Sequence, residues 1–318
     1  MNFSLIFFLV NFFILVNAIY CANLKDSSYW RKLGKAALYR SKTFLTDDGI
    51  KKAKNVIIFL GDGMGLPSIS AARLLKRQMT GKNNDYLVFE RFDHTALIHV
   101  SYTYNIDYAV PDSAGTGTAF CTGVKTKRGT IGVNGNVNFK DTNCTLIQEN
   151  IVETVYEKAV KSGKSVGFVT TASITDATPA ATYAHVSTRN DESSSSLNDT
   201  KCKDIALQLI EDHKEFQVML GGGRKNFLPK GKEVGERIDD RDLFDEWQQN
   251  LKDHRHHYKF VSTKKELSEI DYGKVDYLLG SFSKNHMKFD KELKNDTNEI
   301  EPTIEEMTEA ALKILRKN

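Results

Sequence analysis

Residues 151–171 read IVETVYEKAVKSGKSVGFVTT and join a helix pattern directly to a strand pattern. Residues 151–161 are predicted to form a helix that stops at Gly163, and residues 165–171 are predicted to form a strand. Similar elements are predicted along the chain: a strand at 55–60, helices at 67–79 and 205–210, and a strand at 216–220. Strands that alternate with helices predict an α/β sandwich with a largely parallel sheet.

Composition predicts a soluble folded protein. The chain has 318 residues, which suits one large domain or two small ones. Hydrophobic residues make up 40% and charged residues 27%, so an ordinary hydrophobic core is expected and disorder is not. The net charge is +3, and the Lys and Arg residues are scattered. Because they form no basic stripe, nucleic-acid binding is not expected.

The N-terminus carries an export signal. Residues 5–16 are apolar apart from Asn11, and Val16-Asn17-Ala18 follows them, which predicts a signal peptide cut after Ala18. The mature chain would then be residues 19–318, secreted or on the cell surface. The alternative is a signal anchor that stays in the membrane, although the apolar run is short for the roughly 20 residues of a spanning helix.

Secretion would place the cysteines in an oxidising compartment. Cys21 lies near the new N-terminus, and Cys121, Cys144 and Cys202 lie in the body, so one of these three is expected to be free. Three glycosylation sequons also occur in the mature chain, at Asn143, Asn198 and Asn295. Together these sequons agree with an exported glycoprotein.

The first chemical motif is Gly61-Asp62-Gly63-Met64-Gly65, directly after the predicted strand at 55–60. Leu66 rules out a dinucleotide fingerprint, and Lys158 stands where a P-loop at residues 163–165 would need glycine. An acid at the end of a strand in a glycine-rich loop can ligate Zn²⁺ or Mg²⁺. Asp62 is therefore a candidate metal ligand, and its alternative role is to cap the next helix.

The second motif is Val110-Pro111-Asp112-Ser113-Ala114-Gly115-Thr116-Gly117-Thr118. The small residues after Pro111 can open a helix with Ser113 in its first turn, where backbone N–H groups favour a phosphate. A serine needs a base or a metal to become a nucleophile, and no histidine is close in sequence, so a metal is favoured. The alternative is a Ser N-cap beside a flexible turn.

The third motif spans residues 170–180 and follows another predicted strand. Asp176 and Thr178 are oxygen donors two residues apart, which in an extended loop point the same way and can hold Mg²⁺ directly or through water. Arg189 can grip a phosphoryl group with its fork of donors, or it can be an ordinary surface charge. Because each motif follows a strand, we expect Asp62, Ser113, Asp176, Thr178 and Arg189 to converge at one end of the sheet.

Two other stretches of the sequence have a distinct pattern. The histidines of residues 253–257 are surrounded by charged residues, so this stretch is interpreted as a solvated loop and a metal site there is the minor alternative. Thr303 to Glu306 fits a capping box, and the residues after it form an amphipathic helix. No strand follows that helix, which is expected of a truncated βαβ fold or of a natural C-terminal helix.

Taken together, these motifs resemble those of alkaline phosphatases, from about Trp30 to the C-terminus. The matching stretches are residues 55–65, 110–123, 176–189, 202–206 and 220–225. The Pro-Asp-Ser-Ala-Gly-Thr sequence is highly specific, and the ordered set is more so; it disfavours a sulfatase or a phosphodiesterase. The resemblance implies a three-layer sandwich around the parallel sheet, two Zn²⁺ ions, one Mg²⁺ ion and hydrolysis of small phosphate monoesters.

The resemblance also implies residue roles. Ser113 would be the nucleophile that becomes phosphoserine, and it would also ligate zinc. Asp62 would bridge a zinc and the magnesium, Thr178 would ligate magnesium, and Asp176 would hold a magnesium-bound water. Arg189 would bind the phosphate. His185 matches a recurrent family position without a ligand role, and a Cys144–Cys202 disulfide would leave Cys121 free.

The chain departs from the family pattern after residues 303–317. In the family this helix leads into a strand, followed by the Glu, Asp and His residues that complete the metal sites, and those residues do not occur here. We therefore expect a truncated catalytic domain that is inactive alone; the alternative is an inactive secreted binding or decoy protein. A full-length protein would be a homodimer, and any lipid anchor would be encoded in the missing tail.

Overall fold

The computed structural model describes residues 24–44, 53–83, 85–92, 104–197, 202–296 and 300–317. The chain divides into two compact units. The larger unit comprises residues 1–38 and 104–318, and the smaller unit comprises residues 39–103. The predicted signal peptide, Cys21 and the sequon at Asn198 lie outside the described residues. That residues 19–318 form one catalytic domain stays a prediction.

The larger unit contains a four-stranded sheet. Its strands are β1 (Gly167–Ser173), β2 (Val218–Gly222), β3 (Tyr258–Val261) and β4 (Tyr277–Ser281), in the order β1-β2-β4-β3. All three pairings are parallel. All five residues of β2 are buried, as expected for a central parallel strand covered on both faces.

The described helices lie before, between and after these strands along the chain. They are α1 (Ser27–Phe44), α2 (Leu66–Thr80), α3 (Ser113–Thr122), α4 (Cys144–Glu149), α5 (Val155–Lys161), α6 (Ala177–Ala180), α7 (Ile205–Asp212), α8 (Leu243–Asp253), α9 (Lys264–Ser268), α10 (Asp290–Leu293) and α11 (Ile304–Leu315). None of these helices meets the length and hydropathy that a membrane span requires.

Alternate residues of the sheet pack into two separate hydrophobic cores. Met219 and Leu279 contribute to one core, which also contains residues of α7 and α8. Val218 and Leu278 contribute to the other core, which contains residues of α9 and α11. Because side chains alternate between the two faces of a strand, each core covers one face of the sheet. The predicted three-layer α/β sandwich is therefore confirmed.

Most predicted elements occur within a few residues of their expected bounds. The helix predicted at 151–161 is α5, which starts later because Thr154 caps it and forms a capping box with Glu157. Gly163 follows with φ +72°, a left-handed conformation that glycine adopts without strain. The strands predicted at 165–171 and 216–220 are β1 and β2, and the C-terminal amphipathic helix is α11, capped by Thr303 as predicted.

The strand predicted at residues 55–60 is wrong for the described structure. These residues are neither helix nor strand, and Val56 and Phe59 are 76% and 78% exposed. A parallel strand obtains its hydrogen bonds and its burial from neighbouring strands. Within the described part of the smaller unit, no strand is assigned that could pair with this run.

The cysteines have the arrangement that the resemblance implied. Cys144 and Cys202 form a disulfide with a Cα–Cα distance of 5.4 Å, across a sequence separation of 58 residues. Cys121 is free and buried in α3. Burial raises the pKa of the Cys121 thiol to about 12, so this side chain stays a neutral, unreactive thiol at physiological pH.

Candidate functional site

Ser113 is the first residue of α3. Asp112 precedes it as the N-cap in extended conformation, and its carboxylate accepts a hydrogen bond from the backbone N–H of Gly115. Pro111 fixes the chain direction just before the cap. The half-buried Ser113 side chain therefore lies at the N-terminus of a ten-residue helix, where the helix dipole and the first-turn N–H groups favour an anion.

The carboxylate of Asp112 accepts hydrogen bonds from several donors, and the sequence did not predict these contacts. Its Oδ1 accepts hydrogen bonds from Asn105 Nδ2 at 3.0 Å, Gly129 N at 3.1 Å and Gly115 N at 3.2 Å. Burial raises the pKa of Asp112, but these hydrogen bonds and the charge of Arg189 outweigh burial and hold the pKa below its ordinary value. Asp112 is therefore a fixed carboxylate directly beside Ser113.

Helix α6 packs closely against α3. A Cβ added to Gly117 would lie 2.9 Å from the Cβ of Ala181, just after α6, so only glycine permits this approach. Asp176 is the N-cap residue of α6, and the half-buried Thr178 lies within it. The expectation that both residues lie in an extended loop is therefore wrong, because the chain turns into a helix after Asp176.

Arg189 joins the two helix N-termini. Its Nη1 donates to Ser113 Oγ at 2.8 Å, and its Nη2 lies 3.0 Å from Asp176 Oδ1. Nη1 also lies 3.5 Å from Asp112 Oδ2. The backbone N–H of Arg189 donates to Gly129 O at 2.8 Å, which fixes where the side chain begins. Ser113, Asp176 and Arg189 therefore meet, with the guanidinium oriented by two carboxylates.

Asp62 belongs to the smaller unit. It lies in a turn before α2, whose N-cap is Gly65 with no side-chain capping bond. The N-cap position is thus three residues after Asp62, and the choice between a capping role and a metal role for Asp62 stays a prediction. Its convergence with Ser113 stays a prediction, because each unit is described by itself. His254, His256 and His257 are exposed at and after the end of α8, as expected for a solvated stretch.

The side chains near Ser113 suit one kind of ion better than another. Asp176 supplies a carboxylate at its contact with Arg189, and Thr178 carries a hydroxyl two residues later in α6; both are hard oxygen ligands of the kind that Mg²⁺ takes. Catalytic zinc usually takes three protein ligands, often histidines. Among the described residues, no group of three His, Cys, Asp or Glu ligands lies close together at Ser113. The described residues beside Ser113 thus do not complete a zinc site, and the assignment of Asp176 and Thr178 to magnesium stays a prediction.

Asp191, two residues after Arg189, is partly buried, and burial together with the charge of Asp204 raises its pKa to about 6. A raised folded-state pKa contributes stability below the unfolded pKa of about 4 and loses it as pH rises through about 6. We expect Asp191→Asn to raise the free energy of unfolding at pH 7.5 by about 1 kcal/mol, a value discounted for solvent exposure.

At about pH 3 the gain should nearly vanish, because this pH lies below both pKa values and Asp191 is then largely protonated in both states. Urea unfolding at the two pH values measures the difference, with Asp253→Asn on the exposed end of α8 as the control. An equal gain at both pH values would contradict the burial of the Asp191 charge as its cause.

Comparison with known proteins identifies the family. The sequence model of the family described as alkaline phosphatase matches residues 53–318. The chain belongs to the alkaline phosphatase family. Tissue-nonspecific alkaline phosphatase of Rattus norvegicus is 38% identical to it, over 96% of this chain and 59% of the rat protein. The membrane-bound alkaline phosphatase of Bombyx mori is 36% identical, over 92% of this chain and 55% of the silkworm protein.

Solved alkaline phosphatases share the fold. The Thermus thermophilus enzyme aligns with a TM-score of 0.60 at 27% identity, over 80% of this chain and 45% of that one. The enzyme of a psychrophilic Shewanella aligns with a TM-score of 0.58 at 25% identity, over 81% of this chain and 52% of that one. The chain thus spans between 55% and 59% of the length of those two curated relatives.

Proposed function

We propose that this chain supplies the serine nucleophile and the phosphate-binding arginine of a phosphatase that hydrolyses small phosphate monoesters. The observation that carries the proposal is the 2.8 Å hydrogen bond from Arg189 Nη1 to Ser113 Oγ at the N-terminus of α3. A phosphoryl group bound at Ser113 Oγ would lie within reach of both the guanidinium and the first-turn N–H groups. Family membership supports this reaction over other uses of the same geometry.

The proposed reaction has two displacements at phosphorus. Ser113 Oγ forms a bond to phosphorus as the ester P–O bond breaks and the alcohol leaves, which gives phosphoserine. Water then forms a new P–O bond while the bond to Oγ breaks and phosphate departs. Arg189 donates to the phosphoryl oxygens, where negative charge is held in both transition states. Asp112 and Asp176 keep the guanidinium in the required plane.

The metal ions are proposed from family membership and from the oxygen ligands that Asp62, Asp176 and Thr178 carry. We assign Mg²⁺ to Thr178 and, through water, to Asp176, and we assign Asp62 as a ligand shared between magnesium and one of two zinc ions. When bound, these ions supply positive charge that favours loss of the serine proton and neutralises the phosphoryl oxygens. No described histidine or carboxylate group completes zinc coordination at Ser113.

Export and assembly are part of the same proposal. Residues 1–18 are assigned as a signal peptide, and the mature protein as secreted or bound to the cell surface. Asn143 and Asn295 are both exposed, as glycan acceptors must be. We further propose a homodimer for the full-length protein, membrane attachment only through a lipid anchor, and no nucleic-acid partner.

Activity of residues 19–318 alone tests the proposal. We expect no phosphatase activity from this chain, since Asp62 and Ser113 are the only described residues proposed as ligands of the catalytic zinc ions and zinc needs about four ligands. Joining the chain to the remaining segment of the rat relative should give catalytic zinc binding and turnover of an aryl phosphate. Zinc-dependent turnover by residues 19–318 alone, lost on Ser113→Ala, would contradict the incompleteness of the site.

A secreted binding or decoy protein on the same scaffold is the second candidate. It is favoured by the lack of a zinc-ligand group at Ser113 among the described residues. If the extended protein binds zinc and folds but turns over no phosphate monoester, the decoy is the better account.

A further inference from the structure

Three side chains of metal-ligand type meet away from Ser113. Glu157 lies on α5, His185 follows α6, and His213 is the C-cap residue of α7. One ligand atom from each of the three lies within 4.8 Å of the others. Oε1 of Glu157 and Nε2 of His185 are 3.4 Å apart. No residue of the proposed phosphatase mechanism belongs to this group.

The ring of His185 is anchored at its other nitrogen. His185 Nδ1 lies 2.7 Å from the carbonyl oxygen of Gly132, which can only accept, so Nδ1 carries a proton. Nε2 is the ring nitrogen that faces Glu157. A ring N–H given to a backbone carbonyl is the usual way in which a metal-binding histidine is oriented. The ring of His213 lies against that of Tyr183 at a centroid distance of 5.9 Å.

The supporting shell is rigid. Gln208 accepts from the backbone N–H of His185 at 2.8 Å and donates to its carbonyl at 3.2 Å. Gly132 has φ +64°, and an added Cβ would lie 2.5 Å from His185 Nδ1, so glycine is required there. The ring of His213 packs against Phe216 at a centroid distance of 5.3 Å. The three ligand side chains are therefore held in place by their surroundings.

One ligand separation in this group equals that of tetrahedral coordination. Two ligands about 2.05 Å from a tetrahedral zinc ion are about 3.4 Å apart, as Glu157 Oε1 and His185 Nε2 are. We propose that Glu157, His185 and His213 form a second zinc site, outside the phosphatase centre, with water as the fourth ligand. A zinc ion there would tie α5, the segment after α6 and α7 together. The sequence assigned His185 no ligand role, and the structure places it at the centre of this group.

Zinc binding by the purified whole chain tests the site directly. The chain carrying Asp62→Asn and Asp176→Asn, which weaken the proposed catalytic metal sites, should still retain one zinc after dialysis. Adding Glu157→Gln or His213→Gln should weaken zinc binding at least about 100-fold, since losing a ligand should cost at least as much as losing an outer partner. The matched controls are Glu153→Gln, just before α5, and His254→Gln on the exposed end of α8.

Thermal unfolding provides a second readout that does not depend on the variants folding equally well. Zinc should raise the unfolding midpoint of the unmutated chain and of both controls, and it should not raise that of Glu157→Gln. Visible absorption of the cobalt-substituted chain should report tetrahedral nitrogen and oxygen coordination. The proposal is overturned if the Glu157→Gln variant retains zinc as well as the controls do. It is also overturned if the chain carrying Asp62→Asn and Asp176→Asn retains no zinc. The three side chains would then be only a hydrogen-bonded cluster. Neither result depends on whether the phosphatase proposal holds.

Discussion

Ser113→Ala should lower kcat at least about 10⁴-fold in the protein extended by the rat segment, because Oγ is the atom proposed to bond phosphorus. The alanine keeps the small side chain at the start of α3, and Asp112 still caps the helix, so folding should be unaffected. Most of the bound metal should remain. Steady-state hydrolysis of an aryl phosphate, with metal content measured on the same samples, gives both quantities.

The matched control for this variant is Ser268→Ala at the exposed end of α9, where kcat should not change. If Ser113→Ala keeps more than about a tenth of the activity, a water molecule rather than Ser113 attacks phosphorus, and the phosphoserine route is wrong. A parallel loss of metal and activity would show instead that Ser113 acts mainly as a metal ligand.

Arg189→Lys should lower kcat/KM by about 10²–10³-fold, the range typical of removing one donor to a developing oxyanion. The guanidinium contacts Ser113 Oγ with one nitrogen and Asp176 with the other. A lysine has one ammonium group and cannot make both contacts in one plane, although it keeps the positive charge. The loss should appear in kcat as well as in KM, since the contact is strengthened in the transition state.

Arg316→Lys, exposed just after α11, is the control for the chemical change from arginine to lysine and should leave kcat/KM unchanged. A rise in KM alone for Arg189→Lys would restrict Arg189 to ground-state phosphate binding. An unchanged kcat/KM would contradict its role altogether and make the contact with Asp176 a purely structural ion pair.

The strands of the sheet could be predicted from the sequence where an apolar run and its neighbouring segments indicate the same element. The strand at β2 is apolar throughout and lies next to α7, so its type and approximate position follow from local pattern. The run at 55–60 has the same apolar character but is exposed and unpaired in the described structure. Local pattern cannot distinguish these two cases, because a parallel strand depends on partners that are distant in sequence.

The candidate site likewise contains residues that the local sequence predicts and residues that only the fold brings together. Ser113 was predicted as a site residue from its motif, and Arg189 from the chemistry of its side chain together with the resemblance to the family. Asn105 and Asp112 were missed as site supports because their contacts cross 7 and 17 residues and follow only from the fold. Glu157, His185 and His213 share no spacing that a metal motif would show, since they come from three separate segments. Only the fold brings these three segments together.

The most direct test of the central claim is the fate of Ser113 during turnover. The extended protein is mixed with an aryl phosphate, quenched in acid within milliseconds and digested, and the peptides are analysed by mass spectrometry. We expect the peptide containing Ser113 to gain the mass of one phosphoryl group, and the gain to be absent from Ser113→Ala. A rapidly turning-over protein whose Ser113 peptide stays unmodified at every quench time would contradict the account.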